Sequence, residues 1–564
     1  MPNDTVKPLI VQGDRSILLD VHAPAFAGAR AALIPFAELE KSPEHLHTYR
    51  LTPLSLWNAA SAGFGPEVIC DVLDSFARYP VPRSVRVWIT ETMGRFGVLR
   101  MIPETEDTLL LVTDSRPVYM EIAASKQAAR YLTPLSDEDE PVRRFRLSLL
   151  HRGTVKQDLL KLGWPVRDEA PLRDGEPLEV SLRERTSHDR ELVIRDYQRN
   201  AAAALVGDRG PGTGFGTIVL PCGAGKTVVG MVVMSMLKTS TLILTTNVAA
   251  VHQWIHELRD KTRVDPELIG EYTGDAKQIR PITVATYQIL TWRADKESDF
   301  PHFRIFRQRD WGLIIYDEVH LLPAPVFRVT AELQVIRRLG LTATLVREDG
   351  CEGDVFSLVG PKRYDVPWKE LEEQGWIASA FCTEVRMEMD SALEIEYAVA
   401  DQRRKYRIAS ENPAKMTAVR TLVAEHTGDG VLVIGQYISQ LEAIARDLNA
   451  PLITGKTPNS EREVLYEGFR AGTIPTLVVS KVANFAIDLP DASVAIQVSG
   501  TFGSRQEEAQ RLGRILRPKE RDSHFYTLVT ARTVEEEFAS NRQKFLAEQG
   551  YEYDILRWEE RGES

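Results

Sequence analysis

Short apolar runs that alternate with helical patterns constrain the fold of this chain more than any other feature. From about residue 190 onward the first series of runs comprises Thr217–Leu220, Thr241–Thr245, Ile282–Ala285, Leu313–Tyr316 and Leu339–Leu341. A second series begins near Gly430 with VLVIG, APLIT, TLVVS and VAIQVS. Buried strands between helices are typical of parallel sheets built from βαβ units. We therefore predict an α/β fold with two tandem parallel-sheet lobes, residues 189–366 and 367–564.

The first third of the chain carries no active-site motif and predicts two small mixed α/β modules, residues 1–105 and 106–188. Thr52 and Pro53 are typical of a helix N-cap and first turn, and Gly63 ends that helix. The other expected elements are a helix that starts at Pro66 and is ended by Pro80, a strand Thr108–Thr113, a helix over 153–163 and a strand near Leu178–Leu182.

Composition excludes several classes of protein. Hydrophobic residues make up 43% of the 564 residues, which is enough for several packed cores and excludes a mostly disordered chain. The net charge of −11 argues against nucleic-acid binding by bulk positive charge, although a local basic groove stays compatible with it. The four cysteines form no CxxC pair, and the chain shows neither a signal peptide nor a membrane-spanning run. We expect a cytoplasmic, nucleoid-associated location with no membrane partner.

The segment Leu220–Thr227 predicts a phosphate-binding loop between a strand and a helix. Glycines let the backbone approach a phosphate chain closely, and the amides and dipole of the following helix attract the anion. Lys226 would reach the β- and γ-phosphates of ATP, and the Thr227 hydroxyl would hold Mg²⁺. The strict motif has glycine at position 220, where this chain has leucine. The residues expected to bind ATP here are Cys222, Gly223, Ala224, Gly225, Lys226 and Thr227.

An apolar run that ends in two carboxylates, Asp317 and Glu318, predicts the other half of this nucleotide site. Asp317 would bind Mg²⁺, and Glu318 would orient and polarise the attacking water. His320 completes the tetrapeptide DEVH and is assigned to the catalytic group, although a lone histidine is more often structural. In LTAT, residues 341–344, two hydroxyls could link the ATP site to a nucleic-acid groove.

Residues outside the phosphate loop are also expected to contact the nucleotide. Gln198, in the segment Arg195-Asp-Tyr-Gln198, carries a donor and an acceptor that suit the adenine edge, and Arg195 is assigned to the same ATP contact. In the second lobe, the basic residues of QRLGRILRP recur every three positions and so share one helix face. Gln510 would contact the γ-phosphate, while Arg514 and Arg517 would act as arginine fingers on lobe closure.

These motifs resemble those of superfamily 2 helicases and, more closely, the XPB family of DNA repair helicases in its compact prokaryote-type form. The matching segments are VLPCGAGKT, WGLIIYDEVH, LGLTATLVRED, AQRLGRILRP and QKFLAEQGYEYDIL. N-terminal segments such as PLIVQGDRSILLDV and GTVKQDLLKLGWP are also similar to XPB-type sequence. The resemblance implies two RecA-like helicase lobes, preceded by an XPB-type N-terminal domain and a damage-recognition-like module.

The resemblance also assigns residues to DNA and to the ribose. Asp488 matches the acidic residue near the ATP ribose, although VANFAIDLP lacks the glycine often found after the valine. The run Arg347, Glu348 and Asp349 is similar to the family's RED motif for strand separation. The cluster Arg403, Arg404 and Lys405 is by itself typical of an exposed helix face, but it falls where the family has a thumb-like insertion, about residues 385–415. The residues expected to contact DNA are these six and Thr286.

The activity implied by the resemblance is ATP-dependent, Mg²⁺-requiring unwinding of DNA with 3'-5' polarity, at junctions of single strand and duplex, in DNA repair. The family also suggests a repair nuclease as partner, and no residue pattern indicates an oligomeric state. Two alternatives stay open at this point: a DNA-dependent ATPase that translocates, remodels or anneals duplex without unwinding, and a recruitment subunit with an idle ATP site. RNA is a further candidate substrate, because a groove that binds backbone phosphates has little chemical reason to choose.

Overall fold

A computed structural model describes residues 7–558 of the chain with interruptions. The residues outside the description in that span are 34, 42–45, 106, 137–139, 210–212, 222, 294–299, 323–325, 327–335, 344–351, 367–370, 373, 377–378, 481–491, 501–521 and 541–552. The chain divides into a first unit, residues 1–220 and 225–365, and a second unit, residues 221–224 and 366–564. None of the helices described is long and apolar enough to cross a membrane.

The first unit begins with a four-stranded antiparallel sheet of order β1-β2-β4-β3 covered by helices. Its strands are β1 Leu9–Val11, β2 Ser16–Asp20, β3 Glu38–Lys41 and β4 Leu46–Arg50, and its helices are α1 Phe26–Leu33, α2 Pro53–Ser61, α3 Pro66–Phe76 and α4 Arg83–Gly94. Thr52 caps α2 by accepting from the Ser55 backbone N–H, as the sequence predicts. Both helices expected in this part of the chain are confirmed.

A five-stranded sheet of order β7-β8-β6-β5-β9 follows. Its elements are β5 Leu99–Pro103, β6 Thr108–Thr113, α5 Arg116–Ala124, β7 Thr133–Pro134, β8 Arg143–Ser148, α6 Arg152–Lys161 and β9 Val166–Asp168. The β5–β6 hairpin crosses residue 105, so a module boundary there would separate paired strands, and we propose a boundary before Leu99 instead. The strand expected near Leu178–Leu182 is wrong: Pro177 and Leu182 form only isolated bridges, because their partners Thr239 and Thr262 lie beyond the ends of neighbouring elements.

The rest of the first unit is a seven-stranded parallel sheet of order β12-β13-β11-β14-β15-β10-β16. Its strands are β10 Phe215–Val219, β11 Thr241–Thr245, β12 Ile269–Tyr272, β13 Ile282–Thr286, β14 Leu313–Asp317, β15 Arg337–Thr342 and β16 Lys362–Asp365. The helices are α7 Asp196–Val206, α8 Lys226–Leu237, α9 Val248–Lys261 and α10 Tyr287–Thr291. Because the strands are parallel, the polar residues at their carboxyl ends gather at one edge of the sheet.

The second unit contains another seven-stranded parallel sheet, of order β19-β20-β18-β21-β22-β17-β23. Its strands are β17 Ala380–Met387, β18 Val431–Gly435, β19 Leu452–Ile453, β20 Thr476–Ser480, β21 Val494–Gln497, β22 Ser523–Thr530 and β23 Tyr553–Arg557. Its helices are α11 Ser391–Val399, α12 Gln402–Ser410, α13 Ala414–Glu425, α14 Ile438–Asp447 and α15 Asn459–Arg470. The α/β class with two parallel-sheet lobes is thus confirmed. Residues 385–387 of the expected insertion are part of β17, so we propose that the insertion starts after this strand.

Candidate functional site

The phosphate loop connects β10 to α8, as the sequence predicts. Gly223 and Gly225 both have positive φ, +82° and +75°, which favours glycine over other residues. A Cβ on Gly225 would also lie 2.6 Å from the Gln198 Nε2 atom, so this position has no room for a side chain. The helix starts at Lys226, which leaves its first backbone N–H groups free of helical acceptors and suited to an anion.

The acidic pair lies at the end of β14, at the same edge of the sheet. The partly buried Asp317 carboxylate accepts a hydrogen bond from the Trp254 Nε1–H at 2.9 Å, and the Asp317 backbone carbonyl accepts one from the Tyr287 hydroxyl at 2.9 Å. Burial and the adjacent Glu318 carboxylate raise the pKa of Asp317 above its ordinary value. Glu318 itself has a left-handed backbone, φ +50°, which is uncommon for a residue other than glycine.

Lys226 and Glu318 form the central contact of the site. The Lys226 Nζ atom lies 2.7 Å from Glu318 Oε1, and the two side chains are 12% and 21% exposed. Burial alone would raise the pKa of Glu318, but the Lys226 ammonium and His320 lower it below its ordinary value. Two adjacent carboxylates therefore have pKa values shifted in opposite directions, an arrangement that suits different chemical roles.

His320 connects the acidic pair to the next strand of the sheet. It is buried, and its Nδ1 atom lies 2.7 Å from the Thr342 Oγ1 atom of the LTAT segment and 3.5 Å from Glu318 Oε2. The first threonine of LTAT is therefore in direct hydrogen-bond contact with DEVH, and the expected link from LTAT to a nucleic-acid groove stays a prediction. A change at Glu318 can reach β15 through these two side chains.

Gln198 lies beside the phosphate loop, as its spacing in the sequence requires. It is buried in the first turn of α7, and its Oε1 atom accepts a hydrogen bond from the Arg195 backbone N–H at 3.0 Å. The Arg195 guanidinium donates to the Tyr197 hydroxyl at 3.0 Å. These contacts fix the Gln198 amide next to Gly225, where a nucleotide on the loop would meet it.

The predicted DNA contacts that the structure describes differ in their exposure: Thr286 is buried, and the basic residues lie on helix α12. Thr286 is buried at the end of β13, and its hydroxyl accepts from the Ile289 backbone N–H at 3.2 Å, so its present role is to cap α10. Arg403 and Arg404 are exposed on α12, where Arg404 Nη2 lies 2.7 Å from Glu396 Oε1. Lys405 is partly buried, with its Nζ atom 5.4 Å from the centroid of the Tyr397 ring.

The remaining predicted site residues lie outside the described part of the chain and stay predictions. They are Cys222 of the phosphate loop, Arg347, Glu348 and Asp349 of the RED segment, Asp488, and Gln510, Arg514 and Arg517.

Sequence reasoning missed two residues that hold Asp317. Trp254 is a fully buried residue of α9, and Tyr287 starts α10. Gly230 of α8 makes room for the indole, since a Cβ there would lie 2.7 Å from Trp254 Cη2. The only signal available in the sequence was general: a buried tryptophan needs an acceptor for its N–H.

Two parallel-sheet lobes, a phosphate loop and a DEVH segment at one sheet edge define the class of superfamily 2 helicases. Known families agree: the ERCC3/RAD25/XPB C-terminal helicase family matches residues 371–563, the "Helicase conserved C-terminal domain" family residues 9–136, and the "Type III restriction enzyme, res subunit" family residues 191–347.

Curated relatives match over nearly the full chain. A protein of Mycobacterium tuberculosis, "DNA 3'-5' helicase XPB", is 52% identical over 97% of this chain and 97% of its own. A Kineococcus radiotolerans protein of the same name is 51% identical over 97% of this chain and 96% of its own. The "General transcription and DNA repair factor IIH helicase/translocase subunit XPB" of Encephalitozoon cuniculi is 33% identical over 97% of this chain and 82% of its own. The chain belongs to the XPB family.

Proposed function

We propose that the chain is an ATP-dependent DNA helicase that unwinds duplex DNA with 3'-5' polarity, in DNA repair. The observation that carries the enzymatic part is the contact of Lys226 with Glu318 beside a glycine-capped helix N-terminus. The bacterial relatives, 51% and 52% identical, are named for this polarity and substrate, and the relative from E. cuniculi is named for DNA repair.

ATP binding follows from the charges of the site. The Lys226 ammonium and the N–H groups at the start of α8 present positive charge to the β- and γ-phosphates. Gln198 would pair with the adenine, which its position beside Gly225 supports, and the lowered pKa of Glu318 supports a carboxylate that orients and polarises the attacking water. The Glu318–His320–Thr342 contacts carry the state of this carboxylate into the sheet.

The residues present also fit a magnesium ion. Mg²⁺ prefers oxygen ligands, and the site supplies the Asp317 carboxylate and the Thr227 hydroxyl at the start of α8. When bound with ATP, the ion would neutralise charge that develops on the phosphates. The hydrogen bond from Trp254 holds one oxygen of Asp317 and so orients the carboxylate.

DNA contact is assigned to two parts of the chain, helix α12 and the RED segment. Arg403 and Arg404 present an exposed basic face on α12, suited to backbone phosphates. The RED segment, residues 347–349, is assigned to strand separation by its similarity to the family. For ATP, Gln510 is assigned to the γ-phosphate, and Arg514 and Arg517 are assigned as arginine fingers because their spacing puts them on one helix face. We also propose that the chain acts with a repair nuclease and associates with the nucleoid.

The test is strand displacement on DNA duplexes with a 3' or a 5' single-stranded tail, with ATP turnover followed in the same samples. We expect strand release from the 3'-tailed duplex alone, and ATP hydrolysis stimulated by DNA. Matched RNA duplexes serve as the substrate control. If ATP is consumed in the presence of DNA but no strand is released, the chain is a translocating or remodelling ATPase and not a helicase. The absence of any turnover would point to a recruitment subunit with an idle site.

A further inference from the structure

Helix α12 of the second unit has an exposed part and a buried part. Arg403 and Arg404, which the proposed function assigns to DNA, are exposed, whereas Tyr406 is fully buried. These residues lie within one turn of the helix, since a turn takes about 3.6 residues. Because the backbone of a helical turn is held by its own hydrogen bonds, a displacement of the two arginines also displaces Tyr406.

The Tyr406 side chain connects α12 to a segment far along the chain. Its hydroxyl donates a hydrogen bond to the carbonyl of Gly500, a residue 94 positions further on. The ring packs edge-on against Phe538, with the two ring centroids 5.2 Å apart. A buried phenol needs a partner for its hydroxyl, so the contact with Gly500 fixes the position of Tyr406 relative to that segment.

Gly500 is the last residue of a short segment that follows strand β21, residues 498–500, which we call the exit segment. Its first carbonyl, that of Val498, accepts a hydrogen bond from Lys415 Nζ at 2.9 Å, and its last carbonyl accepts one from Tyr406. Lys415 is itself held by the buried Glu535 carboxylate, whose two oxygens lie 2.9 and 2.8 Å from its Nζ atom. Side chains of α12 and α13 therefore hold the exit segment at both ends.

The chain continues from the exit segment towards three residues that the proposed function assigns to ATP, which are Gln510, Arg514 and Arg517. The position of Gly500 determines where that part of the chain starts. The Tyr406 hydroxyl thus links the helix assigned to DNA with the segment that leads to the residues assigned to ATP.

We propose that Tyr406 is a positioning residue that couples DNA contact at α12 to ATP hydrolysis, an inference that rests on the proposed function. DNA bound to Arg403 and Arg404 selects one position of α12, and the Tyr406 hydroxyl passes that position on to Gly500. A ligand shifts an equilibrium through contacts that differ between two states, and this hydroxyl is a contact that joins the two sites. Hydrolysis itself is carried out by the residues of the ATP site, so Tyr406 acts on the DNA-dependent part of the rate.

The test is steady-state ATP hydrolysis by the full chain at increasing concentrations of the 3'-tailed DNA duplex, in the wild type and in Tyr406→Phe. The variant removes the hydroxyl and keeps the ring. We expect an unchanged rate without DNA and an unchanged DNA concentration at half-maximal stimulation, because Arg403 and Arg404 are intact. The maximal DNA-stimulated rate should fall by about threefold to tenfold, the effect of one lost hydrogen bond. A general loss of structure would change all three quantities together.

Tyr526→Phe is the matched control, because it removes a tyrosine hydroxyl of the same unit whose partner is His426 Nε2, at 2.9 Å. This control should keep the full stimulation by DNA. Thermal unfolding checks that both variants fold. If Tyr406→Phe does not fold, hydrogen exchange of the wild type decides: DNA should change the exchange of the amides in the exit segment, and unchanged exchange would overturn the proposal.

The outcomes separate this proposal from the proposed function. Full stimulation by DNA in Tyr406→Phe, or an equal loss of stimulation in Tyr526→Phe, would overturn the role of Tyr406 and leave the DNA-dependent ATPase in place. A wild-type rate of ATP hydrolysis that DNA does not change would overturn the proposed function, and the role of Tyr406 with it.

Discussion

The contact between Lys226 and Glu318 leads to an unusual expectation for a catalytic variant. In the structure the Lys226 ammonium is bound to the Glu318 carboxylate at 2.7 Å, and ATP needs the same ammonium for its phosphates. The carboxylate therefore competes with the nucleotide. Glu318→Gln removes the competing charge and keeps the size of the side chain, so it should bind ATP more tightly while it hydrolyses ATP far more slowly.

The magnitude follows from the kind of hydrogen bond that is lost. A hydrogen bond with a charged partner contributes about 1.5–3 kcal/mol and one between neutral groups about 0.5–1.5 kcal/mol, and the loss of one of the two charges moves this contact from the upper part of the first range towards the second. Replacing the Glu318 carboxylate by an amide oxygen therefore lowers the cost of releasing Lys226 by about 1–1.5 kcal/mol. That difference corresponds to a Kd for ATP lower by about fivefold to tenfold.

The assay is equilibrium binding of a fluorescent, non-hydrolysable ATP analogue with Mg²⁺, at constant salt. Single-turnover hydrolysis measured beside it should fall by a factor of about 10²–10⁴ in Glu318→Gln, because the water loses its general base. Asp317→Asn is the matched control: it also removes one carboxylate, but it should weaken binding of the Mg²⁺ complex. Glu318→Gln with an unchanged or higher Kd would refute the competition.

Three further predictions concern residues that support the two lobes. Trp254→Phe removes a hydrogen bond that stabilises ionised Asp317, so the pKa of that carboxyl should rise further and the acid limb of ATP hydrolysis should move to higher pH; an unmoved limb in a pH–rate profile would contradict this. Lys415→Met leaves Glu535 buried without its cation, so the free energy of unfolding, measured in urea, should fall by about 3–5 kcal/mol. Replacing both residues by apolar ones should restore the stability. A loss below about 1 kcal/mol in Lys415→Met would contradict this prediction. Gly225→Ala should weaken ATP binding through backbone strain of about 1–2 kcal/mol and crowding, and wild-type affinity would refute that.

Strand positions could be predicted where polar residues or glycines bound an apolar run at both ends. The runs Thr241–Thr245, Val431–Gly435 and Thr476–Ser480 match strands of the structure residue for residue. Strand β17 was missed because polar residues alternate with apolar ones in AFCTEVRM, although the strand lies between β22 and β23. The apolar residues near Leu178 suggested a strand, but no neighbouring strand continues the ladder there.

The site could be predicted as far as its residues are contiguous in the sequence. Lys226 and the Asp317–Glu318 pair belong to short motifs, and each motif by itself indicates the chemical role of its residues. The partners of Asp317, which are Trp254 and Tyr287, come from helices that follow other strands of the sheet. Their positions depend on the order β13-β11-β14, which local patterns do not encode.

A cluster of basic side chains in the first unit also could not be predicted from local sequence patterns. Arg152 and Lys156 occur in RGTVKQDLLK, a segment that predicts an ordinary helix, and that helix is confirmed as α6. Arg338 and Arg363 occur in separate strands far along the chain. Only the folded first unit brings Lys156, Arg338 and Arg363 to one aromatic ring, Phe215, so no spacing in the sequence could have indicated that these side chains lie together.

In the proposed function, hydrolysis of ATP held by the phosphate loop supplies the energy for strand separation. The most direct measurement compares strand release from a 3'-tailed DNA duplex by the wild-type chain and by Lys226→Ala, with ATP present and with DNA binding checked separately. We expect the variant to bind DNA like the wild type and to release strands at least about a hundredfold more slowly, because the ammonium no longer meets the β- and γ-phosphates. Strand release at the wild-type rate in Lys226→Ala would contradict the account.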